Sequence, residues 1–180
     1  MTSNRPPQAI LFDLGDTLLY QAKDDLAAGL DRLIELSDGD QKNDADDFRE
    51  AGKELFHDVF SWRLQDYGLN HIEVRFQSFL RLLLERFGRE LRMDLADLEL
   101  EFWRAASPML PEPGIHAVFE HLETRGIPTG VVSNSAFSSQ TIRRELVGQG
   151  LADQLSFVMA SADYGIQKPH EMNSKPGCRS

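Results

Sequence analysis

The sequence predicts an α/β protein: a Rossmann-like parallel sheet with an all-helical bundle inserted after its first strand. Short apolar runs at residues 9–12, 127–132 and 156–160 each stop at polar, turn-forming residues. Such runs are typical of strands buried on both faces of a parallel sheet. Apolar residues recur at helical spacing between these runs. This alternation predicts right-handed βαβ units, so we expect a three-layer core with about three strands.

The first predicted strand, residues 9–12, leads into a polar turn that begins at Asp13. Helical spacing of apolar residues then continues as far as residue 106, with no strand pattern in between. Gly88 is a predicted C-cap and Asp94 a predicted N-cap within this segment. Successive helices without intervening strands indicate a compact bundle. The four helices are predicted over residues 26–34, 48–68, 76–87 and 94–102.

A cluster of prolines between residues 108 and 113 marks the return of the chain from the bundle to the sheet. A helix ending at Gly126 then precedes the second strand, and Ser138 is the predicted N-cap of the helix that precedes the third. The predicted domains are therefore a core formed by residues 1–20 and 107–170, a helical cap formed by 21–106, and a polar, disordered tail at 171–180.

Charge and composition exclude several classes of partner. The chain has 19 basic and 29 acidic residues, a net charge of −10, so we expect neither nucleic acid nor an anionic membrane as a partner. No apolar run approaches the roughly 18 residues of a membrane span, and no secretory signal pattern is present. One cysteine, Cys178, allows no internal disulfide. We expect a cytoplasmic protein that acts on a small molecule, of an oligomeric state that the sequence leaves open.

Polar residues follow each of the three predicted strands. Asp13 and Ser133 come directly after the first and second strands, and Lys168 lies in the loop after the third. Ligands of open α/β sheets bind at the carboxyl ends of the strands, so these side chains are expected to converge. A carboxylate, a hydroxyl and an ammonium group suit transfer of a phosphoryl group to a carboxylate nucleophile. Taken singly, each residue is more simply a turn former or a surface charge.

Together, the motifs resemble those of the haloacid dehalogenase-like (HAD) hydrolase superfamily. Residues 12–18, FDLGDTL, resemble its first motif; residues 131–134, VVSN, its second; and residues 168–169, KP, its third. The helical segment 22–106 lies where the family's subfamily I members carry a helical type I cap. The resemblance covers almost the whole chain up to about His170.

The resemblance implies a Mg²⁺-dependent phosphatase that acts on a small phosphorylated metabolite through an aspartyl-phosphate intermediate. It implies that Asp13 is the nucleophile and a metal ligand, with the Gly15 backbone carbonyl as the second protein ligand. It also implies that Ser133, Asn134 and Lys168 bind the phosphate. The cap is expected to close over the site and select the substrate.

The chain departs from the family pattern at the acid that follows the nucleophile. Phosphatases of this family place a second aspartate two residues after the nucleophile, where it protonates the leaving group and then activates water. Here Gly15 occupies that position. The neighbouring Asp16 is a candidate surrogate acid/base, but we expect its side chain to have a structural role in the turn. Dehalogenases of the family also lack this aspartate because halide needs no proton. Hydrolysis of a carbon–halide bond is therefore an alternative function.

A second departure concerns the family's fourth motif, which supplies acidic metal ligands at the end of a further strand. Only twelve residues follow Lys168, so the chain is expected to be truncated before this motif and its core to be incomplete at the C-terminal side. Strand 1 is then expected to be an exposed edge. These departures leave open that the chain is a catalytically impaired family member, which acts as a binding module or has no function.

Overall fold

The computed structural model describes residues 7–39, 45–60 and 71–169, and it has the predicted mixed α/β architecture. The N-terminal residues 1–6 and the predicted tail at 171–180 lie outside the described residues, as does the predicted extension of the second cap helix to residue 68. In chain order the elements are β1 (Ile10–Phe12), β2 (Leu19–Gln21), α1 (Leu26–Leu36), β3 (Ser37–Asp38), α2 (Ala45–Phe60), α3 (Phe76–Arg86), β4 (Glu90–Leu91), α4 (Leu95–Ala106), β5 (Met109–Pro111), α5 (Ile115–Thr124), β6 (Thr129–Ser133), α6 (Ser139–Gly148), β7 (Leu155–Ala160) and α7 (Ser161–Tyr164).

The central sheet of the described chain has the strand order β1–β6–β7, and both pairings are parallel. Phe12 is in register with Val131, and Ser133 with Ala160, so the three strands end at the same edge. This confirms the predicted parallel core. Strand β1 lies at the edge of the sheet, where Leu11 is 54% exposed. The expectation that the first strand is an exposed edge is confirmed for the described chain.

Helices α1 to α4 form the predicted bundle, with a core made mainly of phenylalanine and leucine. The predicted caps are present: the Asp94 carboxylate accepts a hydrogen bond from the Asp97 N–H at 2.8 Å, and Gly88 has φ +58° just after α3. The hydrogen bond to Asp94 lowers the pKa of that carboxyl below its ordinary value.

No helix in the described part of the chain combines the length and apolarity needed to cross a membrane. Fully buried core residues are Leu30, Leu33, Phe48, Phe79, Leu80, Leu83 and Leu98.

The prediction of a cap without strands is wrong, because β3 and β4 pair antiparallel within it. The side chain of Arg89 holds this pair against the end of α1: its guanidinium donates to Ser37 Oγ at 2.8 Å and to the Ile34 carbonyl at 3.0 Å. Arg92 and Asp38 form an ion pair across the ladder. Strands of two residues carry no period, so hydrophobic patterning cannot reveal them.

The two connections between core and cap also pair with each other, which the sequence did not predict. Strands β2 and β5 run antiparallel, with Leu19 opposite Pro111 and Gln21 opposite Met109. Proline is tolerated at such an edge because it lacks only the donor of a ladder hydrogen bond. The chain therefore passes from core to cap and back through this antiparallel pair of strands, which we call the neck.

A buried carboxylate joins the cap to the core. Glu99 lies on α4 and is fully buried; it accepts hydrogen bonds from Ser138 Oγ at 2.7 Å, Thr141 Oγ1 at 2.6 Å and Gln77 Nε2 at 3.0 Å. Ser138 is the N-cap of α6, so the negative charge lies at the positive end of that helix dipole. This network fixes α4 against the core.

We expect Glu99→Ala to lower the free energy of unfolding by about 3 kcal/mol, because it leaves buried donors without an acceptor. Glu101→Ala, on the same helix, removes a partly exposed ion pair with Arg32 and is expected to cost about 0–1 kcal/mol. Urea denaturation of both variants measures the difference. Equal losses would show that the Glu99 network does not join cap to core.

Candidate active site

The side chains of Asp13 and Lys168 meet at the carboxyl edge of the sheet. Asp13 directly follows β1, and Lys168 lies in the loop after α7. Lys168 Nζ is 3.2 Å from Asp13 Oδ2 and donates a hydrogen bond to the Val132 carbonyl at 2.6 Å. The Asp13 side chain is 48% exposed and the Lys168 side chain is 31% exposed. A partly solvated carboxylate next to a fixed ammonium group is therefore available to a ligand.

The turn after Asp13 orients this carboxylate. The Leu14 N–H donates to Asp13 Oδ1 at 2.8 Å, and the N–H groups of Leu18 and Leu19 both bind the Leu14 carbonyl. Asp16 has φ +54°, a left-handed conformation that aspartate tolerates better than most residues. Its N–H donates to the Leu19 carbonyl at 2.9 Å, and the residue is exposed. The backbone of Asp16 therefore helps to close the turn through this hydrogen bond.

The remaining phosphate-binding candidates lie beside Lys168. Ser133 ends β6, is buried, and lines a small cavity together with Lys168. Asn134 binds the main chain of Lys168 twice: its Nδ2 donates to the Lys168 carbonyl at 2.8 Å, and its Oδ1 accepts from the Lys168 N–H at 2.6 Å. The structure brings the sequence-predicted residues into one neighbourhood, in which Asn134 positions the lysine.

Glu73 is a buried carboxylate of this region that the sequence analysis did not single out. Its Oε2 accepts hydrogen bonds from Ser161 Oγ at 2.6 Å and from Gln167 Nε2 at 3.0 Å. Its N–H donates to the Gly165 carbonyl at 2.9 Å. A cap residue thus ties down both ends of the loop that leads to Lys168. A single acid between apolar neighbours has no signature in sequence that distinguishes it from a surface charge.

A cleft of about 360 Å³ lies between the cap and the loop after β6. Its polar lining includes Gln21 and Asp24 on the cap side and Asn134 and Ser135 on the core side. Five phenylalanines of the described chain line the cleft: Phe56, Phe60, Phe76, Phe102 and Phe137. The aromatic and leucine residues at helical spacing over 76–87 are predicted to be bundle core. Phe76 belongs to that set and also lines the cleft.

The donors around Asp13 can be compared with the needs of a Mg²⁺ ion, which takes six oxygens and often only one or two carboxylates from the protein. The Asp13 carboxylate and the Gly15 carbonyl lie in the same turn. Within residues 7–39, 45–60 and 71–169, no group of three acidic, histidine or cysteine residues could hold a metal. Asp163 is engaged elsewhere, since its Oδ2 accepts from the Ser139 N–H at 3.2 Å. The donor set fits an ion that takes most of its ligands from substrate and water.

Comparison with solved structures identifies the fold. A HAD phosphatase from Thermococcus onnurineus matches with a TM-score of 0.51 and 19% identity, over 93% of this chain and 68% of that one. The chain has the HAD-like α/β fold. Other HAD-like matches are an L-2-haloacid dehalogenase from Xanthobacter autotrophicus (TM-score 0.44, 17% identity, 94% of this chain and 62% of that one) and the putative HAD-hydrolase YfnB from Bacillus subtilis, bound to magnesium (0.46, 22%, 94% and 70%).

The chain spans 62–70% of the length of these three HAD-like structures. No family model matches the sequence, and no curated protein matches it.

We expect Gly15→Ala to fold normally and to raise the free energy of unfolding by about 0.4–1 kcal/mol through the unfolded state. Gly15 lies outside the left-handed region, and a Cβ there would meet nothing within 4 Å. The control is Gly29→Ala, whose Cβ would lie 2.6 Å from the Phe102 ring. That variant should lose about 1–3 kcal/mol by overpacking. A large loss at Gly15 in urea denaturation would show that this HAD-like turn requires glycine there.

Proposed function

We propose that this protein is a phosphatase that uses Asp13 as its nucleophile on a small phosphorylated metabolite. The observation that carries the proposal is the 3.2 Å approach of Lys168 Nζ to Asp13 Oδ2 at the carboxyl edge of the sheet. The ammonium group offsets the repulsion between the Asp13 carboxylate and an incoming phosphate dianion. Both side chains are partly exposed, so substrate can reach them.

In the proposed reaction, the Leu14 N–H holds Asp13 Oδ1 and leaves Oδ2 to attack phosphorus. The bond between phosphorus and the ester oxygen breaks, and the alcohol leaves as its oxyanion and takes a proton from water. Lys168 and the Ser133 hydroxyl bind the equatorial oxygens of the phosphoryl group, and Asn134 keeps the lysine loop in place. Water then attacks the phosphorus of the aspartyl phosphate, which releases inorganic phosphate and restores the Asp13 carboxylate. The exposed Asp16 has a turn role in this scheme and transfers no proton.

A Mg²⁺ ion would be held by the Asp13 carboxylate and the Gly15 carbonyl. When bound, it supplies charge neutralisation for the phosphoryl oxygens. A chain with one carboxylate ligand depends on substrate oxygens to complete the coordination.

Dehalogenation is a second candidate, favoured by one observation: Gly15 offers no proton, and a halide leaving group needs none. Solved dehalogenases also match the chain, although with TM-scores below 0.5. Halide release from a 2-haloacid, assayed on the same preparation, separates this function from the phosphatase. A folded protein that turns over neither substrate class would support the impaired, binding-module alternative instead.

We expect Mg²⁺-dependent release of phosphate that falls by at least about 10³-fold in Asp13→Asn and by about 10²–10³-fold in Lys168→Met. Lys23→Met is the matched lysine control, because Lys23 is 63% exposed in a surface ion pair. Asp16→Asn keeps a residue that tolerates the left-handed turn and should retain activity. Activity that survives in Asp13→Asn would refute the proposed nucleophile, and its loss in Asp16→Asn would assign Asp16 the proton transfer.

Mg²⁺ titration by calorimetry tests the metal site separately from turnover. We expect weak binding to the free protein and binding at least about tenfold tighter with inorganic phosphate present, since phosphate oxygens complete the coordination. Asp13→Asn should abolish both. Tight binding to the free chain that persists in Asp13→Asn would place the metal away from Asp13.

A further inference from the structure

We infer that the substrate is an aryl phosphate, a phosphate ester whose leaving group is an aromatic alcohol. The inference rests on the proposed phosphatase function and adds the chemical class of its substrate. It combines two independent features of the chain: the phenylalanine-lined cleft beside the candidate active site, and the glycine that stands where a proton donor is expected.

The cleft adjoins the reactive pair through Asn134. This residue lines the cleft and also holds the main chain of Lys168 by two hydrogen bonds. Lys168 in turn lies 3.2 Å from Asp13. In this proposal, the ester substituent of a phosphoryl group bound at Asp13 and Lys168 extends past Asn134 into the cleft, whose lining includes Asn134 but neither member of the reactive pair.

The size and lining of the cleft favour an aromatic group. A closed apolar cavity of about 150 Å³ accepts benzene, so the cleft of about 360 Å³ has room for one or two fused rings. Its rings form a packed wall: the Phe76 centroid lies 4.6 Å from that of Phe102 and 4.9 Å from that of Phe137. Phe76 and Phe102 are each 2% exposed. These two buried rings hold the wall in place, and the partly exposed rings of Phe56 and Phe137 are the ones that can contact an aromatic ligand.

The leaving-group chemistry points to the same class. Gly15 has no side-chain proton to give to a departing oxygen, so in this proposal the ester oxygen leaves as an anion. A phenol has a pKa of about 10, whereas a hydroxyl such as that of water has a pKa of about 15.7. An aryl oxide can therefore leave as the anion and take its proton from water afterwards. Asp13 carries the phosphoryl group until water releases it as inorganic phosphate.

The first test compares leaving groups. We measure kcat/KM for phenyl phosphates of graded phenol pKa and for glycerol phosphate, in wild type and in Gly15→Asp. Wild type should favour the aryl esters by about 10²-fold or more, which is the lower range of a general acid's contribution. Gly15→Asp, for which the turn has space, should raise glycerol phosphate hydrolysis and flatten the dependence on phenol pKa. Asp153→Asn should leave the wild-type pattern unchanged, because Asp153 is exposed and lines neither the cleft nor the small cavity beside Lys168.

The second test separates the cleft from the leaving group. Naphthyl phosphate and acetyl phosphate both have good leaving groups, but only naphthyl phosphate carries aromatic rings. Phe56→Leu, in the cleft wall, should raise KM for naphthyl phosphate several-fold and leave acetyl phosphate unchanged. Phe87→Leu is the matched control: Phe87 is another partly buried ring of the bundle, packed 5.2 Å from Phe48, and does not line the cleft. It should affect neither substrate.

The outcomes distinguish this inference from the function on which it rests. Equal hydrolysis of glycerol phosphate and phenyl phosphate by wild type would overturn the aryl preference and leave the phosphatase intact. A Phe56→Leu effect on both substrates, or on neither, would overturn the role of the cleft. No hydrolysis of any phosphate ester by the folded protein would overturn the proposed phosphatase itself.

Discussion

The parallel register of β1, β6 and β7 is the constraint on which the candidate site depends. It brings the ends of three strands that are far apart in sequence to one edge, so that Asp13, just after β1, and Ser133, the last residue of β6, lie on neighbouring strands. Lys168 reaches the same edge from the loop beyond β7 and lies 3.2 Å from Asp13. The sheet itself is small, so hydrogen bonds around its edge do the fine positioning. Asn134 fixes the lysine loop from the core side, and Glu73 fixes it from the cap side.

The shape of the cleft depends in turn on how the cap sits on the core. Glu99 of α4 accepts hydrogen bonds from the N-cap of α6, and Trp103 stacks on Phe137 with centroids 4.5 Å apart. Phe137 belongs to the core segment but packs against buried residues of the helical bundle and also against buried residues around the sheet. Cap and core therefore share one packed interface. The phenylalanines that line the cleft also pack in or against the bundle core, so close packing holds the cleft wall in place.

Much of this arrangement could be predicted from the sequence. Apolar runs that stop at polar residues located all three parallel strands, and helical periodicity with Asp94 and Ser138 as caps located the helices on either side. The ordered motifs predicted that Asp13 and Lys168 belong to one site. These signals are local or periodic, which is why a single sequence carries them.

The features that sequence analysis missed have no period and depend on tertiary contacts. Arg89 holds β3 and β4 against the end of α1, and Arg92 pairs with Asp38 across their ladder. Strands β2 and β5 pair because the two connections between core and cap run side by side. Glu73 and Glu99 look like ordinary surface acids until the fold buries them. The apolar residues at helical spacing over 76–87 had one sufficient explanation, bundle core, so the second place of Phe76 in the cleft wall could not be predicted.

The central claim is that Asp13 carries the phosphoryl group, and rapid-quench kinetics with 4-nitrophenyl phosphate test it most directly. Because Gly15 offers no base to activate water, hydrolysis of the aspartyl phosphate should be the slow step. We predict a burst of one equivalent of nitrophenol per protein. Acid-quenched protein should gain the mass of one phosphoryl group on the peptide that contains Asp13, and Asp13→Asn should show neither signal. Steady turnover with no burst and no phosphorylated peptide, or a phosphoryl group on another residue, would contradict the account.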